Sequence, residues 1–116
     1  MSIQRFHVGP RLSEMAVHND TIYLAGQVAE DASQDISGQT RQILAAIDKL
    51  LAEVGSDKTR ILSTTIYLAD MADFAGMNAA WDAWVVSGAT PPRATVEASL
   101  AKPDYKIEIQ VIAAKT

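Results

Sequence analysis

An arginine and two glutamates near the C-terminal end of the chain are the side chains best suited to chemistry. Arg93 and Glu97 lie in a run that alternates polar and apolar residues from 93 to 100, and Glu108 lies in a similar run from 106 to 111. A guanidinium matches the two oxygens of a carboxylate, and a carboxylate can hold a water and move its protons. We therefore expect a patch that binds a carboxylated molecule beside a water, with both glutamates eligible to hold that water.

The alternation itself predicts strands, since successive side chains of a strand point to opposite faces of a sheet. The two runs together predict a hairpin with one apolar face and one polar face. The expected polar face comprises Arg93, Thr95, Glu97, Ser99, Lys106, Glu108 and Gln110. A lone domain would leave this face in water, whereas an oligomer would enclose it as a pocket between subunits.

Asn78 is a further candidate, because it lies off the apolar stripe of a predicted helix and either donates to a ligand or faces solvent. His7 and His18 stand alone, without a partner at metal-ligand spacing, and the chain has no cysteine. Disulfides, thiolate metal sites and a cysteine nucleophile are therefore excluded. We expect no metal site from these residues.

Two amphipathic helices are predicted to support the strands. Over residues 38–54, apolar residues recur at helical spacing, and Gly55 follows where a left-handed helix end is expected. A second helix is predicted over residues 72–86, with Gly88 closing it. The apolar stripes of the two helices are formed by Ile43, Leu44, Ile47, Leu50, Leu51 and Val54, and by Phe74, Met77, Trp81, Trp84 and Val85.

The remaining strands complete one sheet. Residues 15–28 predict a hairpin with a tight turn at Asn19, residues 60–68 predict a β-branched strand, and residues 1–10 are expected to be a short lead-in. The predicted order is β-β-α-β-α-β-β, with about five strands. We expect an α+β fold in which a mixed sheet carries both helices on one face.

Length and charge narrow the function classes. The chain has 116 residues, which predicts a single domain over residues 1–116, and its net charge is −4. Its ten lysines and arginines are scattered, so we do not expect nucleic acid as a partner. We expect no signal peptide, no membrane span and, given the absence of cysteine, a cytoplasmic protein.

Several segments together resemble the RidA (YjgF) family of reactive-intermediate deaminases. The C-terminal segment is the most specific, and the segment from 77 to 86 is similar to one bacterial branch of the family. The matching segments are Gly9-Pro10, residues 23–27, 39–42, 65–70 and 73–78, and residues 92–114 with Pro-Arg-Ala-Thr-Val-Glu and Lys-Ile-Glu-Ile-Gln-Val.

This resemblance implies a chorismate-mutase-like α+β fold assembled as a homotrimer. In this family the sheets line the inside of the trimer, and small carboxylate substrates bind at sites between subunits. The implied activity is hydrolysis of 2-imino acids, such as 2-iminopropanoate, to 2-keto acids and ammonia. It requires neither a metal nor a cofactor.

The resemblance also implies roles for individual residues. The family's substrate-binding arginine falls on Arg93, its water-positioning glutamate on Glu108 rather than Glu97, and a site asparagine on Asn78. Backbone groups near Gly26 and Thr95 are implied to help hold substrate or water.

Three family positions are replaced in this chain. A tyrosine that follows Gly-Pro in well-known deaminating members is absent here, where Arg11 begins the segment. The serine before Gly-Gln is Ala25, and a cysteine two positions after the arginine is Thr95. The missing tyrosine and serine favour one alternative, a non-catalytic trimer that binds small carboxylates as a regulatory or interaction module. A ribonuclease activity attributed to some relatives is a third hypothesis.

Overall fold

The computed structural model describes residues 2–116. These residues contain seven strands and two α-helices, with loops and two short 3-10 turns between them. The helices are α1 (Ile36–Glu53) and α2 (Phe74–Trp84). The strands are β1 (Ile3–Val8), β2 (Ser13–His18), β3 (Thr21–Leu24), β4 (Gln27–Val28), β5 (Ile61–Leu68), β6 (Arg93–Glu97) and β7 (Ile107–Ala114). The α+β class and both helices agree with the sequence prediction.

The sheet is mixed, with strand order β1-β2-β3-β7-β5-β6 and with β4 also pairing with β7. Strand β6 runs parallel to β5, whereas β7 runs antiparallel to β5 on its other side. The hairpin predicted from the two alternating C-terminal runs is therefore wrong. Strand β5 separates the two runs, and β6 forms one edge of the sheet.

Two strands were not predicted from the sequence. Strand β1 occupies the segment expected to be a lead-in, and β4 is a two-residue strand after β3. Most of β1 is exposed, so its side chains carry no core-facing alternation. The strand is held by backbone hydrogen bonds to β2, and such bonds leave no pattern in the side chains of the sequence.

The first helix, predicted over residues 38–54, spans Ile36–Glu53 and is capped at both ends. The Asp35 carboxylate accepts a hydrogen bond from the Gly38 amide at 2.8 Å and so caps the N-terminus. At the other end Gly55 has φ +74°, and the Ser56 amide donates to the Leu51 carbonyl at 2.9 Å. This is a left-handed helix end, as predicted.

The second helix is shorter than predicted. It ends at Trp84, and the Val85 amide still donates to the Trp81 carbonyl at 3.0 Å. Gly88, at φ +83°, lies in a separate turn after the helix and does not close it. That turn leads into Pro91-Pro92, where the chain straightens into β6.

Both helices pack on one face of the sheet and form a single core with it. The core residues comprise Met15, Val17, Ile22, Leu24, Ile43, Leu44, Ile47, Leu50, Leu51, Ile61, Ile66, Leu68, Met77, Trp81, Ile107, Ile109, Val111 and Ala113. We call this side of the sheet the helix face and the other side the open face. On the open face Tyr23 and Val96 remain 46% and 42% exposed. No helix within residues 2–116 combines the length and the apolar character needed to cross a membrane.

Candidate functional site

Arg93 is held by the second helix. It lies at the start of β6, and its guanidinium donates from Nη2 to the Asn78 side-chain oxygen at 2.6 Å. The same guanidinium lies 5.1 Å from the ring centre of Trp81 and 5.9 Å from that of Phe74. Two of the residues expected at the site, Arg93 and Asn78, are thus in direct contact, and the aromatic rings fix the orientation of the cation.

The charge of Arg93 is not paired with an anionic side chain in the described part of the chain. In residues 2–116 no carboxylate lies within salt-bridge distance of it, and its two hydrogen-bond partners, the Asn78 oxygen and the Met77 sulfur, are neutral. The side chain is nevertheless half-buried. A partly desolvated guanidinium whose donors are only partly used is suited to an external carboxylate or phosphate.

Glu108 lies on β7 between two fully buried isoleucines, Ile107 and Ile109. These neighbours point to the helix face, so Glu108 points to the open face, where it is half-buried. No hydrogen bond to its carboxylate is formed from within residues 2–116. The carboxylate is therefore free to accept hydrogen bonds from water or from another chain.

Gly26 makes room for this carboxylate. The residue lies in the break between β3 and β4, and a Cβ atom placed on it would come within 2.9 Å of Glu108 Cδ. Any larger residue would therefore displace the glutamate. The glycine expected at the site has a defined steric role, which is the close approach of a side chain to its backbone.

Glu108 and Gly26 line an open depression of about 290 Å³. Its other walls are Tyr67 of β5, Gln110 of β7 and the loop of residues 98–101. Sequence reasoning missed Tyr67, although its alternation with buried Ile66 and Leu68 placed it on the same face as Glu108. The depression lies close to the lower limit of volume for small-molecule sites in proteins.

The single polar face expected from the sequence does not exist. Strand β6 pairs Arg93 with Thr64 of β5, and Thr64 is 2% exposed beneath the helices. Arg93 and Thr95 therefore lie on the helix face, and Ala94 and Val96 share the open face with Glu108. The expectation failed because β6 pairs with β5 and not with β7, which reverses the face assigned to each of its residues.

The two glutamates that were eligible to hold a water differ in their contacts. Glu97 accepts a hydrogen bond from the Met71 amide at 2.8 Å, at the start of the turn before α2. This carboxylate has a structural partner, whereas that of Glu108 has none within residues 2–116. The geometry therefore favours Glu108 over Glu97 as the group that is free to act on a water.

Thr95 presents its backbone to the free edge of the sheet. The Pro92 carbonyl accepts from the Thr64 amide at 3.0 Å, and the Ala98 amide donates to the Leu68 carbonyl at 2.9 Å. Since backbone direction alternates along a strand, the amides and carbonyls of Arg93, Thr95 and Glu97 point away from β5. These groups are available to a ligand or to a neighbouring subunit.

The histidines and acidic residues do not gather into a metal site. Within residues 2–116 no three side chains of His, Asp or Glu lie close enough together to hold an ion. The Nε2 atom of His7 instead lies 2.7 Å from Oε2 of Glu53, at the end of α1. His18 is exposed at the end of β2.

Comparison with known proteins places this chain and its fold in a family. The family model described as Endoribonuclease L-PSP matches residues 3–115. A RutC family protein from Haemophilus ducreyi is 52% identical over 112 residues, covering 97% of this chain and 96% of that protein. The RutC family protein YoaB from Escherichia coli (strain K12) is 49% identical over 114 residues, covering 98% and 99%.

A solved structure agrees over the whole chain. A member of the YjgF protein family from Neisseria meningitidis superposes with a TM-score of 0.97 at 48% identity, covering 100% of this chain and 97% of that one. Sequence and structure comparisons agree with the resemblance found in the C-terminal motifs. The chain belongs to the RutC/YjgF (RidA) family, whose family model is that of Endoribonuclease L-PSP.

Proposed function

We propose that this protein is a homotrimer that hydrolyses 2-imino acids to 2-keto acids and ammonia. The observation that carries the proposal is the half-buried guanidinium of Arg93, which has no carboxylate partner within residues 2–116. An acid substrate would supply that partner. Arg93 would bind the carboxylate group of the substrate, and Asn78, which takes one of its donors, would fix its orientation.

The site is proposed to lie between two subunits, because Arg93 and Glu108 of one chain face opposite sides of the sheet. Arg93 of one subunit would then meet Glu108 of its neighbour across the interface. The exposed apolar side chains of the open face, among them Tyr23 and Val96, support an interface that covers this face. A trimer is the assembly that the family resemblance implies.

Glu108 would carry the proton transfers. It orients a water in the depression and takes one of its protons as the water oxygen bonds to the imine carbon. That proton passes to the nitrogen, which gives a carbinolamine. Glu108 then takes the hydroxyl proton and returns it to the nitrogen, the carbon–nitrogen bond breaks, and a ketone and ammonia leave. Atoms and charge balance without a cofactor.

Backbone groups complete the proposed site. The outward-pointing amide and carbonyl of Thr95 lie on the same edge of the sheet as Arg93, where they can bind the substrate or the water. Gly26 keeps the Glu108 carboxylate close to the backbone, which limits its rotamers. Fixed geometry of this kind lowers the entropic part of the barrier.

The experiment uses an amino-acid oxidase to generate fresh imino acid and follows keto-acid formation with and without the protein. We expect wild-type protein to accelerate the reaction and Arg93→Ala to abolish the acceleration. The matched control is Arg41→Ala, which removes an exposed arginine of α1. The proposal fails if wild-type protein at high concentration leaves the spontaneous rate unchanged.

A second candidate is a trimer that binds small carboxylates without turnover. The replacements at Arg11, Ala25 and Thr95 favour it, since they leave the arginine in place but change the residues around the pocket. Calorimetric binding of a keto acid by a protein that gives no rate acceleration would support this function. Turnover that depends on Arg93 would exclude it.

A ribonuclease activity is the third candidate, and the description of the matching family model favours it. A net charge of −4 opposes RNA binding at physiological salt. RNA cleavage by protein free of contaminating nuclease, retained in Arg93→Ala, would support a separate activity.

A further inference from the structure

Tyr67 of β5 is one of the two cross-strand neighbours of Glu108, and Val28 of β4 is the other. Tyr67 and Glu108 are paired in the register of β5 and β7, on the open face, and both line the depression beside Gly26. Directly opposed residues of an antiparallel pair have Cβ atoms about 4.5–5.5 Å apart, so their side chains share one local volume. The phenol of Tyr67 and the carboxylate of Glu108 therefore border the same small volume of the depression.

The hydroxyl group of Tyr67 is without a hydrogen-bond partner in the part of the chain that the structure describes. The residue itself is half-buried. Thr65 and Ser63 lie on the same face of β5, opposite Gln110 and Ile112. Tyrosine hydroxyls that are partly removed from water usually find a partner, because an unsatisfied hydroxyl costs free energy.

We propose that the Tyr67 hydroxyl is a second hydrogen-bond partner of the water that Glu108 activates. This proposal rests on the imine hydrolysis proposed above. One hydrogen of the water passes to Glu108, and the other is held by the phenol oxygen of Tyr67. This arrangement directs a lone pair of the water towards the imine carbon.

Tyr67 remains neutral throughout this reaction. The hydrogen that it holds on the water becomes the hydroxyl hydrogen of the carbinolamine. When the carbon–nitrogen bond breaks, that hydrogen moves to Glu108 and then to the departing nitrogen. The phenol therefore orients the water in both steps and neither gains nor loses a proton, so Glu108 alone relays the charge.

The test is Tyr67→Phe, which removes the hydroxyl and keeps the ring, with Tyr23→Phe as its matched control. Tyr23 lies on the same open face, opposite Ile112 on β7 and away from the depression. We expect kcat for imino-acid hydrolysis to fall about 10- to 100-fold in Tyr67→Phe and to stay within about twofold in Tyr23→Phe. Keto-acid affinity, which depends on Arg93, is expected to change less than about twofold.

A double-mutant cycle separates this role from a structural one. If both residues act on one water, Tyr67→Phe adds little further loss to Glu108→Gln. Tyr67→His, which restores a hydrogen-bonding ring, is expected to recover part of kcat. A structural role would instead lower keto-acid affinity and melting temperature, and histidine would not recover the rate.

The outcomes distinguish the two proposals. If wild type is active and Tyr67→Phe matches it within about twofold, the role of Tyr67 is overturned while the deaminase function stands. If wild type gives no acceleration, both proposals fall. A loss of kcat in Tyr67→Phe that is fully additive with Glu108→Gln also overturns the shared-water role.

Discussion

Arg93 and Glu108 of one chain lie on opposite faces of the same sheet, with strand β5 between the two strands that carry them. The Arg93 guanidinium rests against α2, whereas Glu108 opens into the depression lined by Gly26 and Tyr67. One small ligand cannot contact both groups within a single subunit. A site that uses both must join the edge of one sheet to the open face of another.

Mixed assemblies test this arrangement. Arg93→Ala chains are expected to be inactive alone and Glu108→Gln chains to keep only a small residual activity, but a one-to-one mixture refolded together is expected to recover about one quarter of wild-type activity. In a random mixture, about one interface in four pairs an intact arginine with an intact glutamate of the neighbour. The measurement is the oxidase-coupled rate at matched total protein.

The control for this experiment is the same mixture combined after folding, without refolding. It is expected to show no more activity than its two components for as long as the subunits do not exchange. A refolded mixture no more active than its two components would place both residues in one subunit and contradict the interface site.

The sequence predicted both helices because each carries apolar residues at helical spacing, although this pattern did not fix where α2 ends. The candidate residues were singled out for a related reason, since a charged side chain within an alternating strand, such as Glu108 between Ile107 and Ile109, is unusual. What could not be predicted was the partner of each strand. Alternation shows that Arg93 and Ala94 point to opposite faces of the sheet. Only the pairing of β6 with β5 decides which of the two side chains lies on the helix face.

Asn78→Ala tests how the carboxylate clamp is oriented. The amide oxygen accepts from Arg93 at 2.6 Å, and its loss frees the guanidinium to rotate over Trp81. We expect keto-acid affinity to fall about 10-fold, in line with the loss of one hydrogen bond to a charged group. Calorimetric titration with a keto acid is the measurement, with exposed Asp82→Ala of the same helix as the control. Equal affinity in the two variants would contradict an orienting role.

Gly26→Ala tests the close approach of the glutamate. The added Cβ would come within 2.9 Å of Glu108 Cδ, so the carboxylate must move away from its position. We expect kcat to fall at least about 10-fold because water positioning is lost, while the backbone at Gly26 has no positive φ to strain.

Gly55→Ala is the control for this variant, because it is expected to lower stability and to leave activity unchanged. Nothing lies within 4 Å of an added Cβ at Gly55, but its φ of +74° strains any other residue. This variant is expected to lose about 1 kcal/mol of unfolding free energy and to keep its activity. If Gly26→Ala also loses only stability, the glycine has no role in placing Glu108.

Gln39→Leu tests the buried amide that anchors the loop before β7. Gln39 is fully buried, donates to the Asp104 carbonyl at 3.0 Å and accepts from the Lys106 amide at 3.0 Å. Leucine leaves these buried backbone groups without a partner, which we expect to cost about 3 kcal/mol of unfolding free energy. Gln42→Leu is the matched control, because its bond to the Asp31 amide is exposed, and its cost is expected to stay below about 1 kcal/mol. Chemical denaturation measures both variants, and similar losses would show that burial of the Gln39 network adds nothing to stability.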